Sequence, residues 1–125
     1  MILGLGVDME EITRVGEAIK RHGRGFLERI FTPEEIAYCE RHRNAVERYA
    51  ARFAAKEATM KALGTGWGRG VRWRDIEVTR PPGGRPVIVL YGAARQHAER
   101  LGAQHISLSI SHTGNFALAQ VILEN

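Results

Sequence analysis

Residues 48 to 66, RYAARFAAKEATMKALGTG, place alanine at positions 50, 54, 58 and 62. On an α-helix those positions form one stripe, and methyl side chains let another backbone come close. A matching surface lies near the start of the chain. ILGLGVD is a short apolar run bounded by charge, which predicts a buried strand ending at Asp8. Its period of two puts Gly4, Gly6 and Asp8 on one face, and two glycines offer the close approach that the alanines need. Packing the stripe over that face would bring Asp8 beside Glu57.

The helical wheel raises a second constraint. Arg48, Arg52, Lys56 and Thr59 gather on one side with Ala55, and the opposite arc carries Tyr49, Phe53, Met60 and the alanines. Glu57 sits in the middle of that apolar arc. A lone buried carboxylate costs several kcal/mol unless it is compensated, so a cation is expected nearby. Lys61, one turn later, offers an ordinary i, i+4 pair at the edge of the core. Asp8 offers another answer, because two carboxylates in a partly buried site either share a proton or bind a metal. An all-oxygen pair favours Mg²⁺, which sits at roughly 2.0 to 2.1 Å from its ligands and takes the remainder from water and substrate phosphate. Lys61 would then meet phosphate oxygens as a point charge. The segment GTGWGRG, residues 64 to 70, is either a helix stop with a loop behind it or flexible backbone that approaches a ligand closely. Trp67 within it is placed to stack on a base or to cap the core.

The remaining pattern predicts an α+β fold in one domain, residues 1–125. Residues 11 to 22 have helical period, with Ile12, Val15, Ala18, Ile19 and His22 on one face and Arg14, Glu17, Arg21 and Arg24 on the other. FTPEEIAYCER opens a helix with Thr32 as N-cap, Pro33 first inside and Glu35 completing a capping box. The long helix runs from about residue 45 to Leu63 and stops at Gly64 and Gly66. DIEVT and PVIVLY read as a hairpin around RPPGGRP, GAARQHAERLG as a short helix stopped by Gly102, and HISLSISHTGNFALAQVIL as two strands around a TGN turn.

Composition narrows the function. The net charge of +4 favours an acidic partner: nucleic acid, a phosphorylated small molecule or an acidic protein. One cysteine, Cys39, excludes an internal disulfide and a thiolate-rich zinc site. With no run of 18 apolar residues, no membrane association is expected and the protein should be cytoplasmic. Ser107, Ser109 and Ser111 alternate with Ile106, Leu108 and Ile110, giving one polar and one apolar strand face. His112 ends that strand, where loops commonly present site residues, while His22, His42, His97 and His105 read as structural.

GVDMEEITR at 6 to 14, FTPEEI at 31 to 36, RFAAKEATMKALGTG at 52 to 66 and SLSISHTGNFALA at 107 to 119 together resemble the holo-[acyl-carrier-protein] synthase family, the short bacterial type of 4′-phosphopantetheinyl transferase. The resemblance implies transfer of 4′-phosphopantetheine from coenzyme A to a serine of apo acyl carrier protein, releasing adenosine 3′,5′-bisphosphate. It implies a small antiparallel-rich sheet packed on one long and several short helices, in a homotrimer with active sites between subunits. Asp8 and Glu57 match the family's magnesium ligands, Lys61 its phosphate-contacting lysine, and His112 its residue near the nucleotide and the reacting centre. Arg48 and Arg52, with Gly64, Thr65 and Gly66, fall where coenzyme A is bound, and Asn44 stands where a basic residue is expected. Arg14 matches a carrier-contacting position, and Arg21, Phe26 and Phe53 join it as the expected docking surface for the acidic carrier.

The transfer needs a group to take the serine proton, either Glu57 through a metal-bound water or His112. Two other classes compete with this reading. A metal-dependent phosphohydrolase would use the same Asp8 and Glu57 on coenzyme A or nucleotides, with water as acceptor. A nucleic-acid module would exploit the basic balance, but only 7% of residues are aromatic and no nucleic-acid motif is present.

Overall fold

The computed structural model describes all 125 residues. In chain order the elements are β1 (Ile2–Glu11), α1 (Ile12–Ile30), α2 (Pro33–Glu40), α3 (Ala45–Leu63), a 3-10 turn (Trp73–Asp75), β2 (Ile76–Thr79), β3 (Val87–Leu90), α4 (Gly92–Leu101), β4 (His105–Thr113) and β5 (Phe116–Glu124). The antiparallel strands form two sheets, one ordered β1-β5-β4 and one made of β2 and β3. The α+β class is therefore as the pattern predicts. β1 runs three residues beyond Asp8, because Met9, Glu10 and Glu11 keep pairing with Leu118, Ala117 and Phe116.

The predicted interlock is present. A Cβ added at Gly4 would collide with the carbonyl oxygen of Ala62, and one added at Gly6 with that of Ala58. β1 therefore lies directly on the α3 backbone, which fixes Asp8 against the helix. Ala54, Ala55, Ala58 and Ala62 continue into a core that Val121, Leu123, Ile76 and Val78 close from the two sheets. A second cluster, with Val15, Leu27, Ile30, Phe31, Ile36, Cys39 and Tyr49, joins α1 and α2 to the first half of α3. Cys39 is an enclosed core thiol, and burial pushes its pKa up to about 12.

Two helices depart from the sequence pattern. α1 continues past residue 22 because Gly23 breaks the helical path, with φ of 70°, and lets a further segment resume towards Ile30. α3 is enclosed on nearly all sides, so the arc expected to face solvent is buried. Arg52 is 4% exposed, and Lys56 and Thr59 are 0% exposed. A wheel counts polarity and cannot show what α2 and β2 bring to that side. Lys56 Nζ pairs with Glu35 Oε1 at 2.8 Å and donates to the carbonyls of Trp73, at 3.1 Å, and Ile76. Glu35 completes the capping box by accepting from Thr32 N, and its other oxygen accepts from Val78 N at 2.8 Å. Thr32 and Tyr91 hydroxyls donate to Glu77 at 2.6 and 2.9 Å. Every oxygen of this buried network has a donor, the condition under which buried charge is tolerated.

The outer face of the larger sheet has no partner within the chain. Leu5, Val7 and Met9 on β1 are 57%, 50% and 57% exposed, and Phe116 and Leu118 on β5 are exposed beside them. The register sets Val7 across from Gln120 and Ser109, and Met9 across from Leu118 and Ser111. The β4 serines thus share this outward face, while Ile106, Leu108 and Ile110 pack against the core as predicted.

Candidate active site

The close approach of β1 to α3 assembles an acidic centre. Lys61 Nζ donates to Asp8 Oδ1 at 3.2 Å and to the carbonyl of Val7 at 2.9 Å. The i, i+4 alternative of a Glu57–Lys61 ion pair is not formed; the lysine crosses to the strand instead. Asp8 Oδ2 is completely enclosed, and no N–H, ammonium or hydroxyl group donates to it. Beside it stands Glu10, which the period of two puts on the Gly4, Gly6 and Asp8 face once the strand runs past Asp8. Glu10 lies within hydrogen-bonding reach of Asp8 and can donate only while protonated. Burial, then Asp8, and then Glu57 push the Glu10 carboxyl up to about 8, against the pull of Arg14. Burial and then Asp8 also raise Glu57, opposed by a hydrogen bond from Trp67 and the charge of Lys61.

Three carboxyl groups crowd one place, and the proton affinities of Glu10 and Glu57 are raised there. No cluster of three or more His, Cys, Asp or Glu side chains has the geometry of a finished metal cage. The arrangement is a two-carboxylate shelf with an unpaired oxygen, which suits a cation that draws most of its ligands from elsewhere.

Along the opposite edge of the sheet lies a basic centre. His112 Nε2 is 2.6 Å from Glu47 Oε1 on the first turn of α3. A cavity of about 280 Å³ is lined by His112, Glu47, Arg48, Arg52, Tyr38 and Arg80, with three further residues. The Arg52 guanidinium lies 4.0 Å from the centre of the Tyr38 ring, and its Nε and that of Arg48 are enclosed without partners. Arg52 thus serves this cavity from a buried position. The acidic and basic centres share no contact and no cavity. β5 separates β1 from β4, which is about 10 Å of sheet, and ten residues of α3 separate Glu47 from Glu57, about 15 Å of helix.

The third predicted surface is a groove of about 270 Å³ beside the acidic centre, lined by Glu10, Arg14, Val15, Ala18, Phe26, Phe31 and Phe53. Arg14, Phe26 and Phe53 are brought together there, whereas Arg21 is exposed on α1 away from the groove. α1 is fixed over it by Asn115 of the β4–β5 turn. That residue's carbonyl accepts from Ile12 N at 2.8 Å, and its side chain bonds both the backbone and the hydroxyl of Thr13. Nothing local to α1 announces this cap.

In the loop behind α3, Gly64 is left-handed with φ of 77°, and the N–H groups of Gly64, Thr65 and Gly66 donate back to Lys61 and Met60 carbonyls. These three amides close the helix, so the loop's contribution to a ligand comes from its path and from side chains. Trp67 neither caps the core nor lies in the basic cavity. It is 72% exposed, and its indole N–H donates to Glu57 Oε2 at 3.4 Å. Of the histidines expected to be structural, His42 and His97 bond the carbonyls of Tyr38 and Arg69, while His22 and His105 are exposed.

No helix is long and apolar enough to cross a membrane. The model of the 4′-phosphopantetheinyl transferase superfamily matches residues 4–121. Holo-[acyl-carrier-protein] synthase of Solibacter usitatus is 56% identical over 125 residues, covering 100% of both chains. That of Koribacter versatilis is 57% identical over 125 residues, again covering 100% of each. Among solved structures, the holo-[acyl-carrier-protein] synthase of Neisseria meningitidis has a TM-score of 0.91 at 36% identity, covering 100% of both chains. The Helicobacter pylori enzyme, solved in complex with coenzyme A, has a TM-score of 0.84 at 34% identity over 96% of this chain and 99% of that one. Matched from its first strand into its final one, and alike in fold to these enzymes, the chain belongs to the 4′-phosphopantetheinyl transferase superfamily as one of its holo-[acyl-carrier-protein] synthases.

Proposed function

We propose that this chain transfers 4′-phosphopantetheine from coenzyme A to a serine hydroxyl of apo acyl carrier protein, with Mg²⁺ held by Asp8 and Glu57. The observation that carries the metal assignment is the enclosed Asp8 Oδ2, to which no N–H, ammonium or hydroxyl donates, beside a Glu57 carboxyl whose proton affinity is raised. A divalent cation relieves both conditions, and the residues therefore fit the group. When bound, it supplies positive charge to pyrophosphate oxygens on which negative charge accumulates during phosphoryl transfer.

The protein's own residues then divide the work. Lys61 lies over Asp8 with half of its side chain exposed, and its ammonium can turn from Val7 to a phosphate oxygen without leaving the site. Arg48, Arg52 and His112 hold the nucleotide end of coenzyme A, where two enclosed guanidinium nitrogens lack partners. The path of Gly64, Thr65 and Gly66 shapes the floor between Lys61 and Trp67. Arg14, Phe26 and Phe53 line the groove that receives the carrier, and Arg21, exposed on α1 outside it, adds positive charge for an acidic partner. The serine oxygen attacks the phosphorus that bears pantetheine and the nucleotide phosphate departs in line. Glu57 accepts the serine proton through a water that its carboxylate orients. His112 is the other candidate base; its pairing with Glu47 favours an anchoring role at the nucleotide end.

The acidic and basic centres lie at opposite edges of one sheet, so a complete site requires a second copy. The exposed apolar face of Leu5, Val7, Met9, Phe116 and Leu118 supports the homotrimer, in which the β1 edge of one subunit meets the β4 edge of the next. The cytoplasm, where coenzyme A and carrier meet, is the proposed location.

The test is the intact mass of apo acyl carrier protein after incubation with this protein, coenzyme A and Mg²⁺, with EDTA as control. A gain of one phosphopantetheine unit that EDTA abolishes is expected. Consumption of coenzyme A with no gain in carrier mass would instead establish a phosphohydrolase.

A further inference from the structure

Within the cation-site reading above, one side chain remains without a role. Glu57 has a single side-chain hydrogen bond in the structure, the indole N–H of Trp67 at 3.4 Å on Oε2. Lys61, the nearest cation, is committed to Asp8 and Val7. The indole is 72% exposed, an unfavourable place for so large an apolar ring unless it is held there for its polar atom. It is held. Trp67 leans on Trp73 with ring centres 6.1 Å apart, and Trp73 stacks on Phe53 at 4.9 Å and 22°. The Trp73 carbonyl in turn accepts from buried Lys56, so the platform is fixed to the core. The loop that delivers Trp67 depends on three left-handed glycines, Gly64, Gly66 and Gly70, and on Arg69 at φ of 60°. That backbone is shaped, and its one product inside the acidic centre is the contact to Glu57.

We propose that Trp67 is a positioning residue for Glu57: its N–H holds Oε2 and thereby sets the rotamer in which Oε1 meets the divalent cation. The same contact joins the cation site to the carrier groove, because Phe53 at the far end of the aromatic run lines that groove. The indole adds no charge and lines neither the basic cavity nor the carrier groove, so its effect should fall on metal use.

The chain has two tryptophans, so Trp73→Phe leaves Trp67 as the sole emitter while keeping a ring stacked on Phe53. Mg²⁺ is titrated into this protein at saturating coenzyme A and followed by emission and by calorimetry, with Glu57→Gln in the same background as control. A saturable change in Trp67 emission that coincides with the calorimetric isotherm and vanishes in Glu57→Gln is expected. Trp67→Phe, in the otherwise unaltered chain, should weaken Mg²⁺ binding about three- to tenfold, the scale of one ordinary hydrogen bond, and lower kcat without raising the KM for carrier. Calorimetric binding that Glu57→Gln abolishes, with flat Trp67 emission and unchanged affinity in Trp67→Phe, would overturn the role of the indole. Absence of binding, or binding that Glu57→Gln retains, would overturn the cation site beneath it.

Discussion

Lys56 and Lys61 stand five residues apart on α3 and make the same kind of contact, an ammonium between a carboxylate and backbone carbonyls. Lys56 and its partner Glu35 are both completely enclosed, whereas the Lys61 side chain is 53% exposed. Burial lowers the affinity of Lys56 for its proton, with Glu35 opposing that effect. Around it every acceptor is matched, and nothing is left over for a ligand. Around Lys61 the accounts do not close: Asp8 keeps an enclosed oxygen without a donor and two neighbouring carboxyls hold raised proton affinities. The difference teaches how the molecule separates fold from chemistry. A satisfied buried charge fixes α2, α3 and β2 together, and an unsatisfied one a turn away leaves room for what must bind.

That contrast can be broken by substitution. Lys56→Ala strands Glu35 in the interior and should cost about 3 to 5 kcal/mol in urea unfolding, the range for removing one partner of a buried pair. A loss near 1 kcal/mol would mean that water reaches Glu35 and that the two lysines do not differ in kind. Lys61→Gln should cost less stability than Lys56→Ala, about 1 to 2 kcal/mol, because the lysine side chain is 53% exposed although that of Asp8 is only 12% exposed. Its transferase activity should nevertheless fall by about tenfold or more through loss of a phosphate-directed charge, read as kcat/KM for coenzyme A. Equal losses of stability and activity would make Lys61 a second structural lysine.

A smaller effect sharpens the acidic side. The Glu10 carboxyl titrates at 4.5 in the unfolded chain and holds its proton to about 8 in the fold. Between those values the folded state binds more protons, so its contribution to stability is intact below 4.5 and is lost as pH rises towards 8. Glu10→Gln removes that loss. Its melting temperature relative to the parent, in EDTA, should climb from near equality at about pH 4.5 to a clear advantage at about pH 8.5. A constant difference across that range would show that Glu10 does not share its environment with Asp8.

The interlock of Gly4 and Gly6 with Ala58 and Ala62 was legible because backbone geometry alone sets both spacings, and the joining of Asp8 to Glu57 followed from it. Glu10 was equally open to that reasoning, since it sits two residues further along the same face. Lys56 was not. Its enclosure depends on Glu35, twenty-one residues earlier, and on carbonyls of Trp73 and Ile76 that no wheel contains. Asn115 capping α1 from 102 residues away is hidden for the same reason. The division of the site into two centres is a property of strand order, in which β5 comes between β1 and β4. Periodicity assigns faces and cannot assign neighbours.

That strand order also governs when the enzyme comes into being. β1 is made first, yet its only strand partner is β5, which follows every other element in the chain. Until residue 116 has emerged, the strand that carries Asp8 has no ladder to join, and α1 has no Asn115 to close its first turn. An incomplete chain therefore lacks the ladder that steadies Asp8 beside α3. Synthesis must reach the closing hairpin before the sheet that carries both Asp8 and His112 can be completed.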